Sequence, residues 1–148
     1  MIVLLTLLLA ALPQGGGGPR NKAVDAPQPY SRAWRYESPA LAGVRAGADA
    51  GLVVVPLVDG RFVALSPDDG SLVWSADFGG EASAPPLVGT NAVYVATARE
   101  GTAADGVVRA LDRATGLVLW SRDLAKPIVS ELAAAEGRLY CGSSDGAL

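Results

Sequence analysis

From Ala33 onward the chain alternates short stretches rich in Val, Leu, Ala and Tyr with Asp-Gly, Gly-Gly, Thr-Gly and Glu-Gly pairs, spaced at intervals of roughly ten residues. Segments such as Leu52–Val55, Val93–Ala96, Val107–Leu111 and Leu117–Trp120 have the length of strands, and the glycine pairs are turn punctuation. No stretch after residue 30 sustains a helical period, so the pattern predicts an all-β fold. Two different segments come first. Ile2–Leu12 is an apolar run broken only by Thr6, and Gly15–Pro29 is rich in glycine, proline and polar residues with no periodicity.

Self-similarity sharpens the prediction. Asp59-Gly60 through Trp74-Ser75 aligns with Asp105-Gly106 through Trp120-Ser121 at an offset of 46, with Asp-Gly, Ala-Leu, Gly and Trp-Ser in step. A third copy opens at Asp145-Gly146, 40 residues after Asp105, and Trp34 precedes Trp74 by 40. The strands upstream of each Asp-Gly also align, with Val54, Tyr94 and Tyr140 in register and Leu139–Gly142 as the third strand of that set. A unit of about 40 residues with four short strands has the size of a propeller blade. The predicted architecture is therefore four-stranded antiparallel blades, about two and a half of them, over residues 41–76, 83–122 and 129–148.

Each part of the repeat has a mechanical role. At Asp112–Gly116 an Asp or Thr side chain can bond exposed backbone amides, while glycine supplies the positive φ that other residues resist. The tryptophan of the outer strand is large enough to cover the gap between neighbouring blades, with its N–H on a backbone acceptor. A closed ring needs at least about four blades. The chain is accordingly expected to be the amino-terminal piece of a longer protein, with the strand Ala33–Tyr36 closing the ring on its final blade.

Composition narrows the chemistry. The net charge is -3 and 18% of residues are charged, without the clustered Lys and Arg that nucleic acid or an anionic membrane would require. The absence of histidine removes His-based triads and imidazole ligands. The single Cys141 forms no intramolecular disulfide. The apolar run is too short to span a bilayer, which takes about 20 residues, and residues 1–14 read as an export signal. No Cys follows the run to support a lipoprotein. Residues 15–32 read as a flexible linker, and the globular part as 33–148.

Ala110, Asp112, Gly116 and Trp120 reproduce the pattern Ala-x-Asp-x-x-x-Gly-x-x-x-Trp, and Ala64, Gly70 and Trp74 reproduce it with Ser66 at the Asp position. On these residues the chain resembles the pyrroloquinoline-quinone (PQQ) repeat family of β-propellers over about residues 33–148. The resemblance implies one of two roles. In the first, an exported, non-catalytic scaffold similar to BamB-type assembly factors binds protein or another macromolecule through its loops, touches membrane only indirectly and needs no cofactor. In the second, the chain is the amino-terminal part of a quinoprotein dehydrogenase holding PQQ and calcium. The vicinal cysteine pair and acidic-plus-Asn calcium set that accompany the cofactor in that branch are not visible in the sequence. A periplasmic solute or glycan binder is a third reading.

The first reading is the one expected, with a periplasmic or secreted location. Trp34, Trp74 and Trp120 occupy repeat positions and are assigned to packing between blades rather than to stacking on a ligand. Asp68, Asp69 and Asp112 adjoin turn glycines and match no calcium loop; Thr115 belongs to the same turn chemistry. Cys141 falls in the slot of Val55 and Val95, which marks it as a small apolar core residue. The run Ala98–Ala104 is longer than its counterpart between Ser143 and Asp145, and Arg99, Glu100 and Thr102 on it are the candidate partner contacts. The Gly15–Gly18 tract has no following helix to make it a phosphate loop.

Overall fold

The computed structural model describes residues 3–8, 32–38, 40–49, 51–98 and 105–144, and among them there is no helix. Strands β3 (Gly47–Asp49), β4 (Leu52–Pro56), β5 (Arg61–Leu65) and β6 (Leu72–Asp77) form one antiparallel sheet in chain order. Strands β7 (Glu81–Val88), β8 (Ala92–Ala98), β9 (Gly106–Asp112) and β10 (Val118–Leu124) form a second with the same order. A pair, β11 (Ala133–Ala135) and β12 (Arg138–Tyr140), begins a third. These are propeller blades, as the repeat predicts.

Chain-order meanders follow from the short turns. Each strand is joined to the next by a few residues, which allows only an antiparallel neighbour. The prolines fall where a missing N–H is tolerated. Pro85 and Pro86 lie on β7, an edge strand of its sheet, within a stretch where the register to β8 shifts between Ala84 and Leu87.

Instead of one central core, the molecule has a series of apolar layers between sheets. β4 is buried along its whole length because both of its faces are covered. Val53, Val55, Val63 and Leu65 form one layer with Trp34. Leu52, Val54, Phe62, Ala64 and Trp74 form the next with Val93, Val95 and Leu111 of the second blade. Ala84, Ala96 and Val108 form the third with Ile128 and Leu132. Cys141 is half-buried against this third layer, in keeping with an apolar role.

Several boundaries differ from the sequence reading. β10 starts at Val118 and runs on to Leu124, because the partner strand β9 extends back to Gly106 and keeps pairing it. Leu117 remains in the turn and is exposed. β12 stops at Tyr140, and Ser143 then makes an isolated bridge to Ile128. Strand β2 (Arg32–Ser38) carries Trp34 and pairs with β1 (Val3–Leu8), inside the run read as an export signal. The proposed linker lies outside the described residues except for Arg32, which opens β2.

Candidate functional site

The repeat motif resolves into a socket. At the β9–β10 turn the Gly116 N–H donates to the Asp112 carbonyl at 2.8 Å, and the Asp112 N–H to the Leu117 carbonyl at 2.7 Å. The Asp112 carboxylate accepts from the Ala114 N–H at 3.1 Å, the Thr115 N–H at 2.9 Å and the Thr115 hydroxyl at 2.7 Å. Those bonds, led by the Thr115 hydroxyl, hold the Asp112 carboxyl below its ordinary value. So tied, the turn presents two things to the preceding blade. The Arg113 carbonyl accepts the Trp74 indole N–H at 2.9 Å, and Gly116, at φ +73°, lies under the indole so closely that a Cβ there would meet ring carbon at 2.7 Å.

The same socket occurs one blade earlier. The Trp34 N–H donates to the Pro67 carbonyl at 2.7 Å, and a Cβ on Gly70, at φ +72°, would meet the Trp34 ring at 2.4 Å. Here Ser66 replaces the motif Asp, and the acceptor has moved along the turn. Asp69, in the Thr115 slot, accepts from the Ser71 N–H at 3.0 Å and the Ser71 hydroxyl at 2.7 Å, while Ser66 Oγ accepts from the Asp68 N–H at 3.3 Å. Donor and acceptor have exchanged places, and the turn keeps its shape. Ala64 and Ala110 lie directly across the sheet from Trp74 and Trp120 and are fully buried, which explains the small residue at that position.

Trp34 and Trp74 are 8% and 6% exposed, as expected of seals between blades; Trp120 is 42% exposed and packs beside Tyr94, with ring centroids 6.1 Å apart. Arg99, Glu100 and Thr102 lie outside the described residues. Their loop joins Ala98 to Gly106, which face each other at the end of the β8–β9 hairpin. The β4–β5 hairpin and the β6–β7 crossing open at that same end, whereas the β3–β4, β5–β6, β7–β8 and β9–β10 turns gather at the opposite one. The sockets therefore occupy the end opposite the long loop.

Two further features were not read from the sequence. The Arg113 guanidinium donates to Asp49 at 2.6 and 2.7 Å and to the Gly89 carbonyl at 2.7 Å, joining the two blades beside the Trp74 socket. This two-pronged contact holds the Asp49 carboxyl below its ordinary value and raises that of Arg113. Next to it opens a shallow cleft of about 440 Å³ lined by Gly51, Val73, Thr90, Asn91 and Arg113. Arg109 stands where the first blade has Val63, donates to the buried Thr97 hydroxyl at 2.8 Å and lies 5.0 Å from the Phe78 ring centre. The exchange of Val63 for Arg109 was visible in the alignment; the Arg113–Asp49 contact, between residues 64 apart, left no local signal.

Comparison with known proteins agrees with this geometry. The profile of a family described as "Outer membrane protein assembly factor BamB" matches residues 22–148. The chain belongs to this PQQ-like, BamB-type propeller family. A curated member, outer membrane protein assembly factor BamB of Burkholderia pseudomallei, is 32% identical over 112 residues, covering 75% of this chain and 27% of that protein. The crystal structure of BamB from Moraxella catarrhalis superposes with a TM-score of 0.66 at 23% identity, over 78% of this chain and 35% of that one. A europium-containing methanol dehydrogenase gives a TM-score of 0.55 at 23% identity, over 64% of this chain and 19% of that one. At that identity the likeness is one of fold. The 148 residues thus span about a third or less of these BamB-type relatives.

Proposed function

We propose that this chain is part of an exported BamB-like propeller scaffold that binds a protein engaged in outer-membrane assembly, without chemistry of its own. The observation that carries the reading is the family match over residues 22–148, joined by the 32% identical relative whose name states that role. The geometry suits it. The motif residues Asp112, Thr115, Gly116 and Trp74 are spent on one socket, and Ser66, Asp69, Gly70 and Trp34 on the other. The β8–β9 loop, longer than its counterpart in the next repeat, joins that hairpin at the opposite end, where recognition residues are commonly placed. Arg99, Glu100 and Thr102 are its proposed contacts, and the apolar amino-terminal run is its export signal.

The test uses the full-length protein carrying an affinity tag. Chemical cross-linking in intact cells, followed by purification, is expected to recover an outer-membrane assembly protein, and deletion of residues 99–104 should lower that recovery severalfold. Adding PQQ and calcium is expected to give neither bound quinone nor dye reduction with an alcohol. Dye reduction, or the absence of any assembly protein among the cross-linked partners, would overturn the reading.

A further inference from the structure

Strand β1 meets β2 in a particular register. Leu8 faces Arg32, two residues before Trp34; Thr6, Leu5, Leu4 and Val3 face Arg35, Tyr36, Glu37 and Ser38, and the register shifts between Thr6 and Leu8. In the first blade Leu65 faces Leu72, two residues before Trp74, and Val63, Phe62 and Arg61 face Ser75, Ala76 and Asp77, with a shift between Ala64 and Leu65. In the second, Leu111 faces Val118, two before Trp120, while Arg109, Val108, Val107 and Gly106 face Ser121, Arg122, Asp123 and Leu124, again with a shift beside the tryptophan. Counted from the tryptophan, these flanking pairings agree in all three sheets and the shift falls beside the tryptophan in each, although Ala64 and Ala110 face Trp74 and Trp120 whereas no residue of β1 is paired with Trp34. β1 therefore stands to β2 as the third strand of a blade stands to the fourth.

We propose that the amino-terminal apolar segment is a placeholder strand: in the uncleaved precursor it fills the third-strand slot beside β2, and its removal vacates that edge. The proposal rests on the exported reading above for the removal step, and on the register alone for the pairing. β2 has no other hydrogen-bonded neighbour among the described residues, so without β1 its backbone groups on that side form an open edge. While β1 and β2 share one chain, pairing is intramolecular and favoured by the short tether of residues 9–31. A signal peptidase hydrolysing one peptide bond in that tether, with water supplying the new carboxylate and amine, ends this advantage. A six-residue strand held by one two-stranded contact is then too weakly bound to persist. The leader thus keeps the β2 edge occupied until export and frees it afterwards.

The experiment is disulfide trapping in the full-length precursor, made without export machinery, with Cys141→Ser as background. Two in-register pairs, Thr6→Cys with Arg35→Cys and Leu5→Cys with Tyr36→Cys, are compared with Thr6→Cys/Ser38→Cys, which is three residues out of register and roughly 10 Å off along the strand. Neighbouring antiparallel pairs alternate in separation, so one in-register pair suits a disulfide better than the other. At least one is expected to cross-link about tenfold more than the control. Equal yields for all three would overturn the pairing while leaving the export reading intact. Amino-terminal sequencing of the exported protein is expected to begin after residue 8. A product retaining Val3–Leu8 would overturn both removal and the export reading, even if the cross-link forms.

Discussion

At the scale of single residues, the turns show how one shape is reached with different atoms. Asp112 accepts three bonds in the second blade, whereas in the first the carboxylate belongs to Asp69 and Ser66 supplies only a hydroxyl. The motif position was legible in the sequence, but the exchange was not, because it depends on which of two side chains three residues apart faces the free amides. The Arg113–Asp49 contact carries a consequence for pH. Asp49 titrates lower in the folded chain than in the unfolded one, so the pair's stabilisation is present above the unfolded value of about 4 and is lost as pH falls through the folded value. Both side chains are partly solvent-exposed, which limits the effect to about 1 kcal/mol or less. Asp49→Asn is expected to lower the melting temperature slightly at pH 7 and to make a smaller difference at pH 3, measured by thermal unfolding at both values.

At the scale of elements, blades meet through strands as well as through tryptophan. Gly47 of β3 lies so close to β7 that a Cβ would meet the Pro86 carbonyl oxygen at 2.0 Å, a contact against backbone that cannot rotate away. Gly47→Ala is expected to push the first strand off the next blade and cost more than about 2 kcal/mol, read from denaturant unfolding. Ala48→Gly, one residue along the same strand, should cost about 1 kcal/mol or less. The strands themselves were largely legible, since Val, Leu and Ala runs bounded by glycine turns leave few alternatives. Their ends were less so. The sequence stops β10 at Trp120 because the repeat motif stops there, yet pairing with β9 carries it to Leu124. The partnership of β1 with β2 lay beyond reach for a different reason: the flanks of this apolar run favour an export signal over a strand, and nothing local in it fixes a register to Arg32–Ser38.

At the scale of the whole molecule, stability is a sum of neighbouring interfaces, as in other repeat proteins. Among the described residues three apolar layers separate four successive sheets, and an indole closes each of the first two seams at the rim. Periodicity made that arrangement visible in advance, whereas no contact surface could be read in the same way, since the segment 98–104 has no repeat pattern. The most direct test of the account is a double-mutant cycle between Trp74 and Gly116 in the full-length protein, followed by denaturant unfolding. Gly116→Ala should cost about 2 kcal/mol or more when Trp74 is present, from the ring clash and the positive φ together, and at least about 1 kcal/mol less in a Trp74→Ala background, where only the backbone strain remains. Equal costs in both backgrounds would mean that the indole does not rest on that glycine, and the sealed-blade architecture would be contradicted.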